Sequence, residues 1–340
     1  MSVIRFTGRS VVFRPRSLAV GAGCALLALA LGVLAIGSGD YPIGPADVLS
    51  TLAGHGSVAQ DFIVNQLRLP RVVTALLVGA ALGLSGALLQ SLVRNPLGSP
   101  DVLGFTQGAS AGALVVVVTG GSSLALACGA VIGGLATGGL IYALAWRQGV
   151  HGYRLVLIGI GVAAVLTGVN SYLLTRAQLM DAARAVLWLT GSLDGRGWDN
   201  ARPLAAAMAV VVPVVLGLGR ALRMIEMGDD AAFALGVRVE RVRLVLLACA
   251  VVLASFAAAA AGPVSFVALT APQLAKRMTR APGPGLLPSM ATGAALLVAA
   301  DWGAQRLFTG HQLPVGVVTG VLGGGYLVWL LATERRAGRI

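Results

Sequence analysis

Residues 72–93, VVTALLVGAALGLSGALLQSLV, form an uncharged apolar run, and the way this run is read decides the fold. A helical span needs roughly 20 apolar residues to cross a hydrocarbon core of about 30 Å. Nine more stretches read the same way: 17–37, 101–119, 122–145, 154–175, 201–219, 244–261, 263–278, 286–303 and 314–332. Of the 340 residues 57% are hydrophobic and 11% charged, and the mean hydropathy is +0.86. A soluble domain is about a quarter charged. The expected fold class is therefore an all-α integral membrane protein with about ten transmembrane helices, because only helices and closed barrels satisfy the backbone in lipid. Stretch 263–278 differs from the rest. It follows Gly262-Pro263, its apolar part is short and Pro272 interrupts it, so a broken or tilted segment packed inside the bundle is expected there.

The chain holds 47 glycines. Lipid gives helices no hydrophobic reason to associate, so small residues that let backbones approach are the expected device. Gly79 with Gly83, Gly129 with Gly133, and Gly134 with Gly138 have the G-x-x-x-G spacing of such contacts.

Charge sets the orientation. With ten spans and a cytoplasmic N-terminus, the outer loops carry only Arg68, Arg71, Arg176, Arg184, Arg196, Arg202 and Arg306 of the 25 lysines and arginines. That asymmetry is the one expected when basic residues stay inside. Both termini then face the cytoplasm, with a tail at 1–16, a single transmembrane domain at 17–332 that includes a cytoplasmic loop at 220–243, and a second tail at 333–340. The net charge of +12 falls in short loops beside the membrane, where lipid headgroups and topology account for it, and no nucleic-acid partner is expected. The apolar run after the first arginines is span-length and lacks a small-residue cleavage site, so it is read as an uncleaved first helix.

Several chemistries are excluded by what the chain lacks. His55, His151 and His311 stand far apart with no second ligand at metal spacing, so no metal or cofactor is expected. Cys24, Cys128 and Cys249 fall inside expected spans and read as buried thiols. The single lysine, Lys276, follows Ala-Pro-Gln-Leu-Ala and cannot belong to a Walker A loop. No catalytic constellation is expected, and any ATP hydrolysis must come from another chain. Carboxylates inside the spans, the usual coupling groups of ion-driven carriers, are nearly missing, with Asp301 near a span end as the main exception.

One polar island interrupts the long apolar segments: Glu226-Met-Gly-Asp-Asp-Ala-Ala-Phe-Ala-Leu-Gly236, flanked by Arg220, Arg223, Arg238, Arg241 and Arg243. Asp229 or Asp230 can cap a short helix, Phe233 and Leu235 give it apolar contacts, and Gly236 can end it. A helix this short is marginal in water unless something packs on it. The island reads as a handle for a partner, against the plainer reading of a loop with one helical turn.

Further strings carry a resemblance. Arg68-Leu-Pro-Arg71 leads to Gly79-Ala-Ala-Leu-Gly-Leu-Ser-Gly86 and then to Arg94-Asn-Pro-Leu-Gly-Ser-Pro-Asp-Val-Leu-Gly104; later come Ala261-Gly-Pro-Val-Ser-Phe-Val-Ala-Leu-Thr-Ala-Pro272, Ala300-Asp301 and Leu313-Pro-Val-Gly-Val-Val-Thr319. In this order they resemble the permease subunits of ABC importers for iron-siderophores, haem and vitamin B12, from about Asp61 to Leu331. Glu226-Met-Gly-Asp-Asp230 and Gly323-Gly-Gly-Tyr326 are similar to the branch of second permeases for ferric enterobactin.

The resemblance implies a vitamin B12 importer permease-like fold in a bacterial inner membrane. It implies a paired permease, cytoplasmic ATP-binding subunits, a substrate-binding protein and a ferric-siderophore substrate of the catecholate type, with haem or cobalamin as the alternative within the family. An ion-coupled carrier is the alternative outside it. The island becomes the ATPase-coupling helix, with Gly228, Asp229, Asp230, Phe233, Ala234, Leu235 and Gly236 as its residues. Arg68 and Arg71 match the motif that meets acidic groups of the binding protein. A third family arginine is replaced by Gln305, with Arg306 beside it, which favours a heterodimer over a symmetric homodimer. Gln90, Asn95 and Asn170 are polar groups in or beside spans, for which lining a pathway and bonding helix to helix are equally open uses.

Overall fold

The computed structural model describes residues 2–6, 9–13, 15–39, 41–146, 149, 152–307 and 313–336. Of the residues singled out above, His151 and His311 lie outside this set, as do parts of both tails.

The membrane body is helical, and a short antiparallel hairpin, β1 (Ser2–Phe6) and β2 (Arg9–Phe13), occupies the stretch expected as a tail. The helices run α1 (Pro15–Gly37), α2 (Pro45–Leu52) and α3 (Val58–Asp61), then a π-helical turn, Phe62–Arg68, that leads without a break into α4 (Leu69–Val93). α5 (Phe105–Val118), α6 (Ser123–Ala145), α7 (Gly152–Arg176), α8 (Leu179–Leu189) and α9 (Trp198–Glu226) follow. The chain ends with α10 (Asp229–Ala234), α11 (Val239–Ala261), α12 (Val267–Thr279), α13 (Leu286–Ala304) and α14 (Val315–Arg336).

A helix forms at each of the ten stretches read as spans. Among the described residues seven helices are long and apolar enough to cross a membrane. α5, at 14 residues, and the apolar part of α14, Val315–Trp329, are shorter. α12 has 13 residues, about 20 Å of helix at 1.5 Å per residue. That falls short of a hydrocarbon core. It is short because the chain turns sharply at both ends: Gly262 (φ 74), Pro263 and Phe266 (φ 67) precede it, and Arg280 (φ 48) closes it. The interrupted segment expected at 263–278 is thus a short, largely buried helix. α5 begins four residues later than expected, after Gly104 (φ 84), where an added Cβ would press on Ala163 of α7.

α4 is the central element, packed by α9, α11, α12 and α13 and buried along most of its length. One glycine pair lies in the α4–α13 contact, and the other two hold α6 to α5 and to α11. Gly79 and Gly83 lie on the α13 backbone at Gly293 and Ser289, and Gly129 and Gly133 interlock with Gly112 and Gly108 of α5. Gly134 and Gly138 meet Ser255 and Val251 of α11. At each of these positions a methyl group would strike a neighbouring atom: backbone of the facing helix at Gly79, Gly83, Gly129 and Gly133, and the Ser255 and Val251 side chains at Gly134 and Gly138.

Candidate functional site: two polar ends of one helix bundle

α4 carries a polar cluster at each end. Beyond its C-terminus lies the island. α10 begins at Asp229 after Gly228, whose φ of 124 turns the chain out of α9. It ends in a Schellman arrangement: the N–H of Gly236 donates to Phe233 O (2.9 Å) and that of Val237 to Ala232 O (3.0 Å), with Gly236 at φ 82. Ala232 is fully buried against the bundle, while Phe233 is 77% and Leu235 60% exposed. Gly228 is partly covered and Asp230, Ala234 and Gly236 are exposed, so the helix presents a two-residue apolar tip on a polar ring.

The expectation that an aspartate caps this helix is corrected. The N-cap position is Gly228 and no side chain caps the turn. Asp229 is engaged elsewhere: its Oδ1 accepts from Arg243 Nη2 at 2.8 Å and lies 3.5 Å from Arg94 Nη2. Arg243, with a side chain only 4% exposed, also donates to Glu240 Oε1 at 2.7 Å. A buried guanidinium is tolerable because two carboxylates meet it. The sequence presents Arg94 only as the start of the 94–104 string and Arg243 only as a flank of the island, and does not pair them. The signal was an arginine at the end of α4 facing the only loop that holds adjacent acids.

A cavity of about 360 Å³ opens beside this cluster, lined by Gln90, Ser91, Arg94, Asn95, Pro96, Glu226, Gln273 and Lys276. Two of the three polar residues singled out for the pathway, Gln90 and Asn95, therefore border one cavity, and Asn170 does not. Gln90 donates to Leu269 O (3.0 Å) and accepts from Gln273 Nε2 (2.8 Å), tying α4 to α12. Asn95 Oδ1 accepts from the N–H of Leu97 (2.9 Å) and forms the turn after α4. Asn170 of α7 donates to both the main-chain and side-chain oxygens of Gln107 in α5 (3.3 and 3.2 Å).

The opposite end of α4 holds the arginines. Arg71 clasps Asp301 of α13 through Nε to Oδ2 (3.1 Å) and Nη2 to Oδ1 (2.9 Å), and its Nη1 lies 3.5 Å from Asp194 Oδ1. Gln305, which stands where the resemblance expects an arginine, donates to Asp301 Oδ2 at 2.8 Å. Arg68 donates to the carbonyls of Ile36 (2.7 Å) and Tyr41 (2.8 Å), closing the C-terminal end of α1. Arg306 is exposed; it donates to Ser38 Oγ (2.8 Å) and stacks over Trp302 at 4.8 Å. All three guanidiniums thus gather around residues 36–41 and 301–306. Nearby, burial pushes the Arg196 guanidinium below its ordinary range, and the Asp194 carboxylate opposes that shift. Among the described residues no group of three or more His, Cys, Asp and Glu could hold a metal ion.

The FecCD transport family model matches residues 26–333. The chain is 48% identical over 306 residues to the ferric enterobactin transport system permease protein FepG of Escherichia coli, covering 90% of this chain and 93% of that protein. It is 40% identical to the achromobactin transport system permease protein CbrC of Dickeya dadantii, over 91% of this chain and 90% of that one. A solved metal-chelate-type ABC transporter in an inward-facing conformation superposes with a TM-score of 0.81 at 26% identity, covering 93% of this chain and 99% of that one. With apolar helices long enough to span a membrane and polar clusters at both ends of α4, the chain is a member of the FecCD transport family, a multi-pass permease subunit of siderophore-type ABC importers.

Proposed function

We propose that this permease carries a ferric siderophore of the catecholate, enterobactin-like type across the bacterial cytoplasmic (inner) membrane by alternating access, driven by a separate cytoplasmic ATPase. The exposed Phe233 and Leu235 tip of α10 carries this reading. A six-residue helix cannot hold two large apolar side chains in water for the sake of the fold, since its own anchorage comes from Ala232 and Asp229. A cleft in an ATPase subunit is the partner such a tip fits. The absence of a possible Walker A lysine in the sequence supports an external motor.

The ten helices that form at the stretches read as spans cross or enter the bilayer in this reading, with both termini and α10 on the cytoplasmic side, as the distribution of arginine supports. The opposite end receives the substrate-binding protein. Arg306, Arg68 and Arg71 form its docking field: Arg306 offers its guanidinium outward, whereas Arg68 and Arg71 take part by sharing or exchanging their present oxygen partners. Gln305 in place of a third arginine makes the two halves of the docking surface unequal, which supports pairing with a paralogous permease. Similarity to permeases for ferric enterobactin and achromobactin supports the substrate class.

Uptake tests the reading. Cells with and without the gene are given iron-labelled enterobactin, haem and cobalamin, and loss confined to the ferric catecholate is expected. Loss of cobalamin uptake alone would overturn the substrate, and uptake that survives loss of the ATPase but collapses with the ion gradient would overturn the mechanism.

A further inference from the structure

We propose that Asp229 is the positioning residue through which movement of α10 reaches the membrane helices; the proposal rests on the reading of α10 as the ATPase handle. The backbone joins α10 to its neighbours through Gly228 (φ 124) and Gly236 (φ 82), the most easily rotated residue at each end of the handle. A push on Phe233 therefore has no stiff covalent route into α9 or α11. The carboxylate of Asp229 supplies a noncovalent route. Oδ1 stands between Arg243 Nη2 of α11 at 2.8 Å and Arg94 Nη2 at 3.5 Å, so one oxygen joins the handle to two spans.

The two arginines differ in what they can do. Arg243 is buried and also held by Glu240, so it serves as the fixed side. Arg94 is half-exposed, and its main chain closes α4 in the left-handed conformation (φ 55), a position an L-residue holds only under constraint. Beyond it the turn capped by Asn95 begins, and Gln90, Ser91, Arg94 and Asn95 together form one wall of the 360 Å³ cavity. Displacing Asp229 relative to Arg243 thus shifts Arg94 and the wall of that cavity. The arrangement is a lever whose bearing is Arg243 and whose moving arm is Arg94.

The test uses the whole importer, reconstituted in proteoliposomes with its partner permease, ATPase and binding protein, and follows ATP hydrolysed per ferric enterobactin imported alongside the amount of ATPase co-purified. Asp229→Asn keeps the shape and removes the charge. It is expected to leave ATPase association intact and to raise ATP consumed per substrate severalfold. Asp229→Glu restores coupling. Arg94→Gln, at a half-exposed position where folding is not at stake, gives the same defect, and the pair of changes adds nothing beyond either one. Wild-type stoichiometry in Asp229→Asn or Arg94→Gln, or additive effects in the pair, would overturn the proposal. Loss of ATPase association in Asp229→Asn would also overturn it, by making Asp229 a docking residue. If Phe233→Asp retains the ATPase, the handle reading itself fails; if Phe233→Asp loses the ATPase and Asp229→Asn stays coupled, only the lever fails.

Discussion

Arg71 Nη2 and Asp301 Oδ1 stand 2.9 Å apart, joining the first turn of α4 to the last turn of α13 across 230 residues of sequence. The side chains are 15% and 3% exposed, and Gln305 fills a further acceptor site on the same carboxylate. Removing one partner of a buried pair strands the other charge, at about 3–5 kcal/mol. Arg71→Ala is therefore expected to lower the thermal unfolding midpoint of the purified permease clearly, and Arg71→Met with Asp301→Leu to lower it less than Arg71→Ala does. An unchanged midpoint in Arg71→Ala would assign this arginine to docking alone.

Phe233→Asp removes the apolar tip without disturbing Ala232, the buried contact of α10. A central aromatic anchor typically carries much of the binding free energy of an interface. ATPase retained on the purified permease should fall at least about tenfold while the permease itself folds and inserts. Pull-down from membranes measures both, and full retention of the ATPase would leave α10 without its assigned partner.

The glycine contacts predict opposite outcomes at two positions. An added methyl at Gly83 meets the Ser289 carbonyl of α13, while at Gly139 of α6 it meets nothing within 4 Å. Overpacking costs about 1–3 kcal/mol, whereas Gly to Ala in an open helix position gains up to about 1 kcal/mol. Thermal stability in detergent should drop for Gly83→Ala and hold or rise for Gly139→Ala. Equal effects would mean that α4 and α13 separate readily.

Arg306→Glu probes docking at the outward-facing arginine without touching the Arg71 and Asp301 pair. It gives up the Ser38 hydrogen bond and the stacking over Trp302, both at the surface. Rim charges act mainly on association rate. Binding-protein association should slow about threefold to tenfold at low salt, with the difference shrinking as ionic strength rises. A rate that does not respond to the substitution at any salt concentration would place the docking surface elsewhere.

Helix positions were legible because lipid leaves a spanning backbone no other way to satisfy its hydrogen bonds, so an apolar run of sufficient length settles its own conformation. Stretch 72–93 is such a run, and α4 matches it closely. The short helix α10 was legible for a related reason, since a polar island with adjacent acids, an aromatic and a terminal glycine stands out in an apolar chain. The short helices α2, α3 and α8 and the π-helical turn before α4 were not, because their sequences carry no period long enough to separate them from loops. Asp229 was misread as a cap for want of the backbone: Gly228 turns the chain so that the carboxylate meets an arginine 14 residues further on instead of its own helix.

Composition and local pattern set the class of molecule, the ten long stretches that become helices, the glycine pairs and the polar island that forms α10, all against a hydrocarbon solvent. What residues 72–93 do once helical follows from packing instead. Side chains far apart in the chain meet at the two ends of α4, Asp301 with Arg71 and Asp229 with Arg94, and pairings at that range depend on how helices pack, which local pattern does not encode.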